Sequence, residues 1–111
     1  MTILGIGVDV LHLPRLIRHL SDNRLARRIL TFQSNCRWAV KEAVYKAVYP
    51  ALRPTWQDFT LRKCTGSPKP DLVYHPKDNL LSLRLGRIHT SASHDRDYVF
   101  ATVVVEQPAS I

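Results

Sequence analysis

Apolar positions along the chain fall into two periods, and the longest regular run lies at residues 38–49. Ala39, Ala43 and Ala47 recur every four positions with Val40, Val44 and Val48 beside them, so the pattern predicts a helix with one buried side that Pro50 ends. Glu42 and Lys46 then lie one above the other on a different side, with Trp38, Tyr45 and Tyr49 alongside. On its own, such a spacing describes a surface ion pair contributing about 0.2–0.5 kcal/mol. Ile3 to Leu11 is apolar and β-branched, as expected of a strand covered on both faces. Asp9 interrupts it, and because a lone carboxylate is costly to bury, it should end the strand with a cation or donors nearby. Gly5 and Gly7 fall on one face of that strand and admit close approach of another backbone or of a ligand.

Pro14 suits a first helical turn, and Leu13, Leu16, Ile17 and Leu20 follow at the spacing of an amphipathic helix. Residues 24–30 predict another helical turn or two, and Thr31 to Arg37 a short polar link into the central helix. Residues 50–58 form a proline-punctuated loop containing Trp56. Phe59 to Lys63 and Asp71 to His75 alternate as two strands of a hairpin whose long tip spans Thr65 to Pro70. Leu80 to Leu85 fits a strand or a short helix, and its alternation favours the strand. Ile88 to Ser93 and Val99 to Glu106 complete the pattern as strands around a loop at His94-Asp95-Arg96-Asp97, with Tyr98 to Val105 central in the sheet.

Composition narrows the partners more than the fold. The 111 residues are 45% hydrophobic and predict a single domain, 1–111. Sixteen Lys and Arg against nine Asp and Glu give a net charge of +7, which calls for an anionic partner: nucleic acid, anionic membrane, phosphorylated ligand or acidic protein. Five arginines against one aspartate between residues 15 and 28 make that segment the strongest local source of positive field and favour a docking surface. Cys36 and Cys64 lack CxxC spacing and read as reduced, packed thiols. The sequence contains neither an apolar run long enough to span a membrane nor an Arg-rich or apolar leader, so the chain as given is expected to be soluble.

Three separated pieces carry a resemblance. They are Gly5-Ile6-Gly7-Val8-Asp9-Val10, Arg37-Trp38-Ala39-Val40-Lys41-Glu42-Ala43-Val44-Tyr45-Lys46-Ala47, and Ser91-Ala92-Ser93-His94-Asp95 followed by Tyr98 and Val103-Val104-Val105-Glu106. In this order they resemble the small 4′-phosphopantetheinyl transferases of the holo-acyl-carrier-protein synthase type, whose pattern is a Gly-Ile-Gly-x-Asp strand, a Trp/Phe-x-x-Lys-Glu-x-x-x-Lys helix and a Ser-x-Ser-His strand end. Arg-Ile-Leu-Thr at 28–31 and Lys69-Pro70 extend the match, and Leu-His-Leu-Pro-Arg at 11–15 is more similar to stand-alone fungal or mitochondrial members.

The resemblance implies an α+β fold in which an antiparallel sheet wraps around or against a long central helix. It implies a Mg²⁺-dependent transfer of phosphopantetheine from CoA to a carrier-protein serine, releasing adenosine 3′,5′-bisphosphate. Asp9 and Glu42 become the metal ligands, and with Lys46 the catalytic set. Glu42 is then the first choice, and Asp9 the second, to take the serine proton. Lys41, Lys46, Lys69, Ser91, Ser93 and His94 become CoA contacts, and Arg15, Arg24 and Arg28 the docking site for an acidic acyl carrier protein. A homotrimer with active sites between subunits, a role in fatty acid biosynthesis and a cytoplasmic or mitochondrial-matrix location follow, with no nucleic-acid or membrane partner. Two departures stand against the pattern: the link from Thr31 to Trp38 is shorter than the family's, and its Gly-rich turn after the central helix is replaced by Tyr49-Pro50-Ala51-Leu52-Arg53-Pro54. A non-catalytic CoA-binding scaffold and a basic nucleic-acid-binding module are the competing readings.

Overall fold

The computed structural model describes residues 2–19, 32–63 and 70–109. Arg24, Arg28, Lys69, Cys64 and the helical turn expected at 24–30 lie outside those residues. In chain order the described elements are β1 (Ile3–His12), α1 (Leu13–His19), α2 (Phe32–Val48), a 3₁₀ turn (Trp56–Asp58), β2 (Phe59–Lys63), β3 (Pro70–Tyr74), a second 3₁₀ helix (Asn79–Arg84), β4 (Ile88–Asp95) and β5 (Tyr98–Glu106). The strands form an antiparallel three-stranded sheet, β1-β5-β4, and an antiparallel β2-β3 pair. This is the expected α+β arrangement, with the sheet against the long helix and β5 in the middle.

Helix α2 begins six residues earlier than its alanine and valine repeat suggests, and so absorbs most of the supposed polar link. Residues 32–37 hold no glycine or proline to stop a helix, and the buried Cys36 extends the apolar stripe by one turn. Ala39, Val40, Ala43, Val44, Ala47 and Val48 pack on Val99, Ala101, Val103 and Val105, the inward-facing alternate residues of β5. Each fully buried valine removes enough apolar surface from water to contribute about 1.5–3 kcal/mol.

Strand β1 is covered on one face only, contrary to the reading of its sequence. Ile6, Val8 and Val10 are half exposed, and Tyr98 and Phe100 of β5 join them on the same outer face. An apolar run without alternation therefore marks here a face left open in the single chain, not one packed under a second layer. Nor does Asp9 end the strand: β1 continues to His12, and its cation comes from the helix.

Asn79–Arg84 is a 3₁₀ helix where alternation over Leu80 to Leu85 favoured a strand. The Asp78 side chain accepts a hydrogen bond from the Leu80 amide at 3.0 Å and caps the 3₁₀ helix, which packs Leu81 against the core while Leu80 and Leu83 stay exposed. The loop expected at His94 to Asp97 shrinks to a two-residue connection, with Arg96 at the positive φ of 50° that so tight a hairpin demands.

Candidate active site

Asp9 owes its position to the two glycines before it. A Cβ on Gly5 would lie 1.8 Å from the Ala47 carbonyl oxygen and one on Gly7 1.7 Å from that of Ala43, so any side chain there would push α2 off the sheet. Close approach is made by the helix backbone, which settles the choice between backbone and ligand. As β1 advances from Gly5 to Gly7, its contact steps back from Ala47 to Ala43. Asp9, the next residue on that face, is therefore carried towards the N-terminal half of α2.

Lys46 leaves α2 on the flank beside β1 and leans toward the helix N-terminus, as helical side chains do. Its Nζ donates to Asp9 Oδ1 at 3.1 Å and to the Val8 carbonyl at 3.1 Å. The lysine's carboxylate partner is thus the remote Asp9 and not Glu42 four residues before it. Glu42, half-buried, lies on the same flank one turn nearer the N-terminus and makes no ion pair among the described residues. Strand and helix so bring Asp9, Glu42 and Lys46 to one seam of the fold.

Asp9 is left incompletely satisfied. Its side chain is 13% exposed, and Oδ2 is buried with no hydrogen-bond partner. Leaving such an oxygen bare costs about 1–3 kcal/mol, more when it is ionised. A hard divalent cation matches such a carboxylate in chemistry: Mg²⁺ is commonly held by one or two carboxylates, with substrate phosphates and water completing its shell. Among the described residues no group of three or more His, Cys, Asp and Glu is placed to hold a metal ion.

The remaining expected residues divide. Lys41 lies about 140° round the helix from Lys46, where its Nζ donates to the Trp56 carbonyl at 3.3 Å and stands 5.1 Å from the Trp56 ring, itself 5.3 Å from Trp38. Burial, with the nearby Arg37 charge adding to it, lowers the Lys41 pKa. Within one chain Lys41 is not brought to Asp9, and Trp56, fifteen residues away, is the neighbour its local spacing could not reveal. Ser91 and Ser93 pair with Thr102 and Phe100 and share the outer sheet face with Val8, whereas Asp9, and on β4 His94, face the helix side. The sheet therefore separates the two serines from the carboxylates of their own chain. Arg15 is exposed on α1, directly after β1.

Known proteins share the sequence pattern and the fold. The family model of the 4′-phosphopantetheinyl transferase superfamily matches residues 33–103. The holo-[acyl-carrier-protein] synthase of Koribacter versatilis is 33% identical across 94% of this chain and 98% of its own length, and that of Serratia proteamaculans is 32% identical across 96% and 99%. The crystal structure of the Neisseria meningitidis holo-[acyl-carrier-protein] synthase superimposes with a TM-score of 0.70 at 31% identity, covering 96% of this chain and all of the other. The Koribacter alignment runs over 124 positions against 111 residues here, so that relative carries residues this chain lacks. Matching motifs, fold and near-full-length relatives together make this chain a member of the 4′-phosphopantetheinyl transferase superfamily, of the holo-[acyl-carrier-protein] synthase type.

Proposed function

We infer that the protein transfers 4′-phosphopantetheine from CoA to a serine hydroxyl of an apo acyl carrier protein and releases adenosine 3′,5′-bisphosphate. The observation that carries the reading is the Asp9–Lys46 contact beside Glu42, with one Asp9 oxygen buried and unpaired. Asp9 and Glu42 would hold Mg²⁺, which when bound supplies charge neutralisation at the diphosphate. Lys46 steadies the leaving phosphate. Glu42 is the group that takes the serine proton as the hydroxyl oxygen attacks phosphorus.

The outer sheet face supports a homotrimer. Ile6, Val8, Val10, Tyr98 and Phe100 form an apolar surface larger than scattered exposed side chains would give. Association over it would set the Ser91 and Ser93 side of one chain against a neighbouring chain, so that a site shared between subunits can use groups that the sheet separates within one chain. Those serines then bind CoA across the junction, and His94 contacts it from the helix side of the sheet. Arg15, together with Arg24 and Arg28, docks an acidic carrier, and the net charge of +7 supports that polarity. No helix among the described residues is long and apolar enough to cross a membrane. The reduced, buried Cys36 suits the cytoplasm or mitochondrial matrix, and the reaction places the protein in fatty acid biosynthesis.

Incubating an apo carrier protein with CoA, Mg²⁺ and this protein, followed by intact-mass spectrometry, tests the reading. A gain equal to phosphopantetheine on the carrier serine is expected. No gain on several apo carriers would overturn it.

A further inference from the structure

Asp9 and Lys46 differ in how firmly they are held. Asp9 is 13% exposed on a strand pinned under α2 by two glycine contacts, whereas the Lys46 side chain is 55% exposed on a flexible stem. Its ammonium occupies one Asp9 oxygen and takes the Val8 carbonyl as a second anchor, while the other Asp9 oxygen has no partner. The movable member of the pair is therefore the lysine, and what it grips is the carboxylate that the reading above assigns to the metal.

We propose that Lys46 is a built-in stand-in for the divalent cation: it holds Asp9 while no metal is bound and yields it when metal and a diphosphate arrive together. The proposal rests on the metal-and-CoA reading and adds an order to it. A metal ion arriving alone meets an ammonium on the same carboxylate, and once the metal also takes Glu42 the ammonium keeps only the Val8 carbonyl among the described residues it bonds. A diphosphate supplies a further partner, since a lysine ammonium is a compact charge on a rotatable stem. Metal and diphosphate then raise one another's affinity through the same side chain, and linkage makes the two effects equal.

The test counts free Mn²⁺ by electron paramagnetic resonance over solutions of the full chain, with and without CoA, each variant first shown to be folded by its circular dichroism melt. Lys46→Met is expected to tighten binding of Mn²⁺ alone by about threefold to tenfold and to shrink the enhancement that CoA produces in the unaltered protein. Lys41→Met, which removes the same charge from the opposite flank of α2, should change Mn²⁺ affinity by less than about twofold. Unchanged or weaker Mn²⁺ binding by Lys46→Met would overturn the proposal. Equal tightening by both variants would overturn it too, because a general field and not the Asp9 contact would then be at work. Asp9→Asn separates this from the underlying reading: if it binds Mn²⁺ as well as the unaltered protein, the metal assignment itself is wrong.

Discussion

Under the proposed function, Asp9, Glu42 and Lys46 are three ordinary side chains that take their chemistry from position. Glu42 and Lys46 have the spacing of a common surface pair, and only the motif around them pointed elsewhere. The structure gives the lysine to Asp9, thirty-seven residues away in sequence. Glu42→Gln is expected to lower Mg²⁺-dependent transfer by more than about 100-fold, because a lost ligand weakens both metal and proton transfer. Its melting temperature should stay within about 2 °C of the parent, since Glu42 bonds no described residue and surface-like changes cost under about 0.5 kcal/mol. Steady-state kinetics and a thermal melt check both halves, and full activity would remove Glu42 from the site. Lys41 marks the limit of reading by spacing: it adjoins Glu42 in the chain, yet the helix turns it toward Trp56.

Among the elements, the β1–α2 seam determines whether the site exists. Its helix was legible from the alanine and valine repeat, and its strand from the β-branched run. What the sequence left open was whether Gly5 and Gly7 admit a ligand or a backbone, since both need the same absence of a side chain. Gly7→Ala should settle the strength of that packing. The added methyl would sit 1.7 Å from a helix carbonyl, so the backbone must shift, at a cost of about 3 kcal/mol. At roughly 4 °C or more per kcal/mol for a chain of this size, the melt should fall by at least about 12 °C, and transfer activity should fall with it as Asp9 moves away from Lys46. A melt unchanged by the substitution would mean that the helix does not sit so tightly on the strand. The second 3₁₀ helix was hidden for a different reason: its leucines alternate as in a strand, and the deciding signal is the Asp78 cap that precedes them.

At the scale of the molecule, the open apolar face and the positive charge make separate demands. Sequence alone could not say that β1 has a bare face, because an unbroken apolar run looks the same under a second layer and under a second copy. Replacing Val8 and Phe100 by lysine places charge in the middle of that face. Sedimentation should then report single chains, and transfer should be lost if sites lie between subunits. A variant that still sediments as the parent would contradict assembly through this face. The field of the arginine segment predicts that raising ionic strength from 0.15 to 1 M, which shortens the Debye length from about 8 to 3 Å, increases the KM for the carrier several-fold. The KM for CoA should change less, because its diphosphate would bind in a partly enclosed seam.

The central claim is that Asp9 and Glu42 meet at one divalent cation. A crystal of the protein grown with CoA and Mn²⁺, with the metal located by its anomalous scattering, tests this most directly. The account predicts a Mn²⁺ peak bonded to carboxylate oxygens of both residues and to the CoA diphosphate. A peak that leaves out either carboxylate would contradict it.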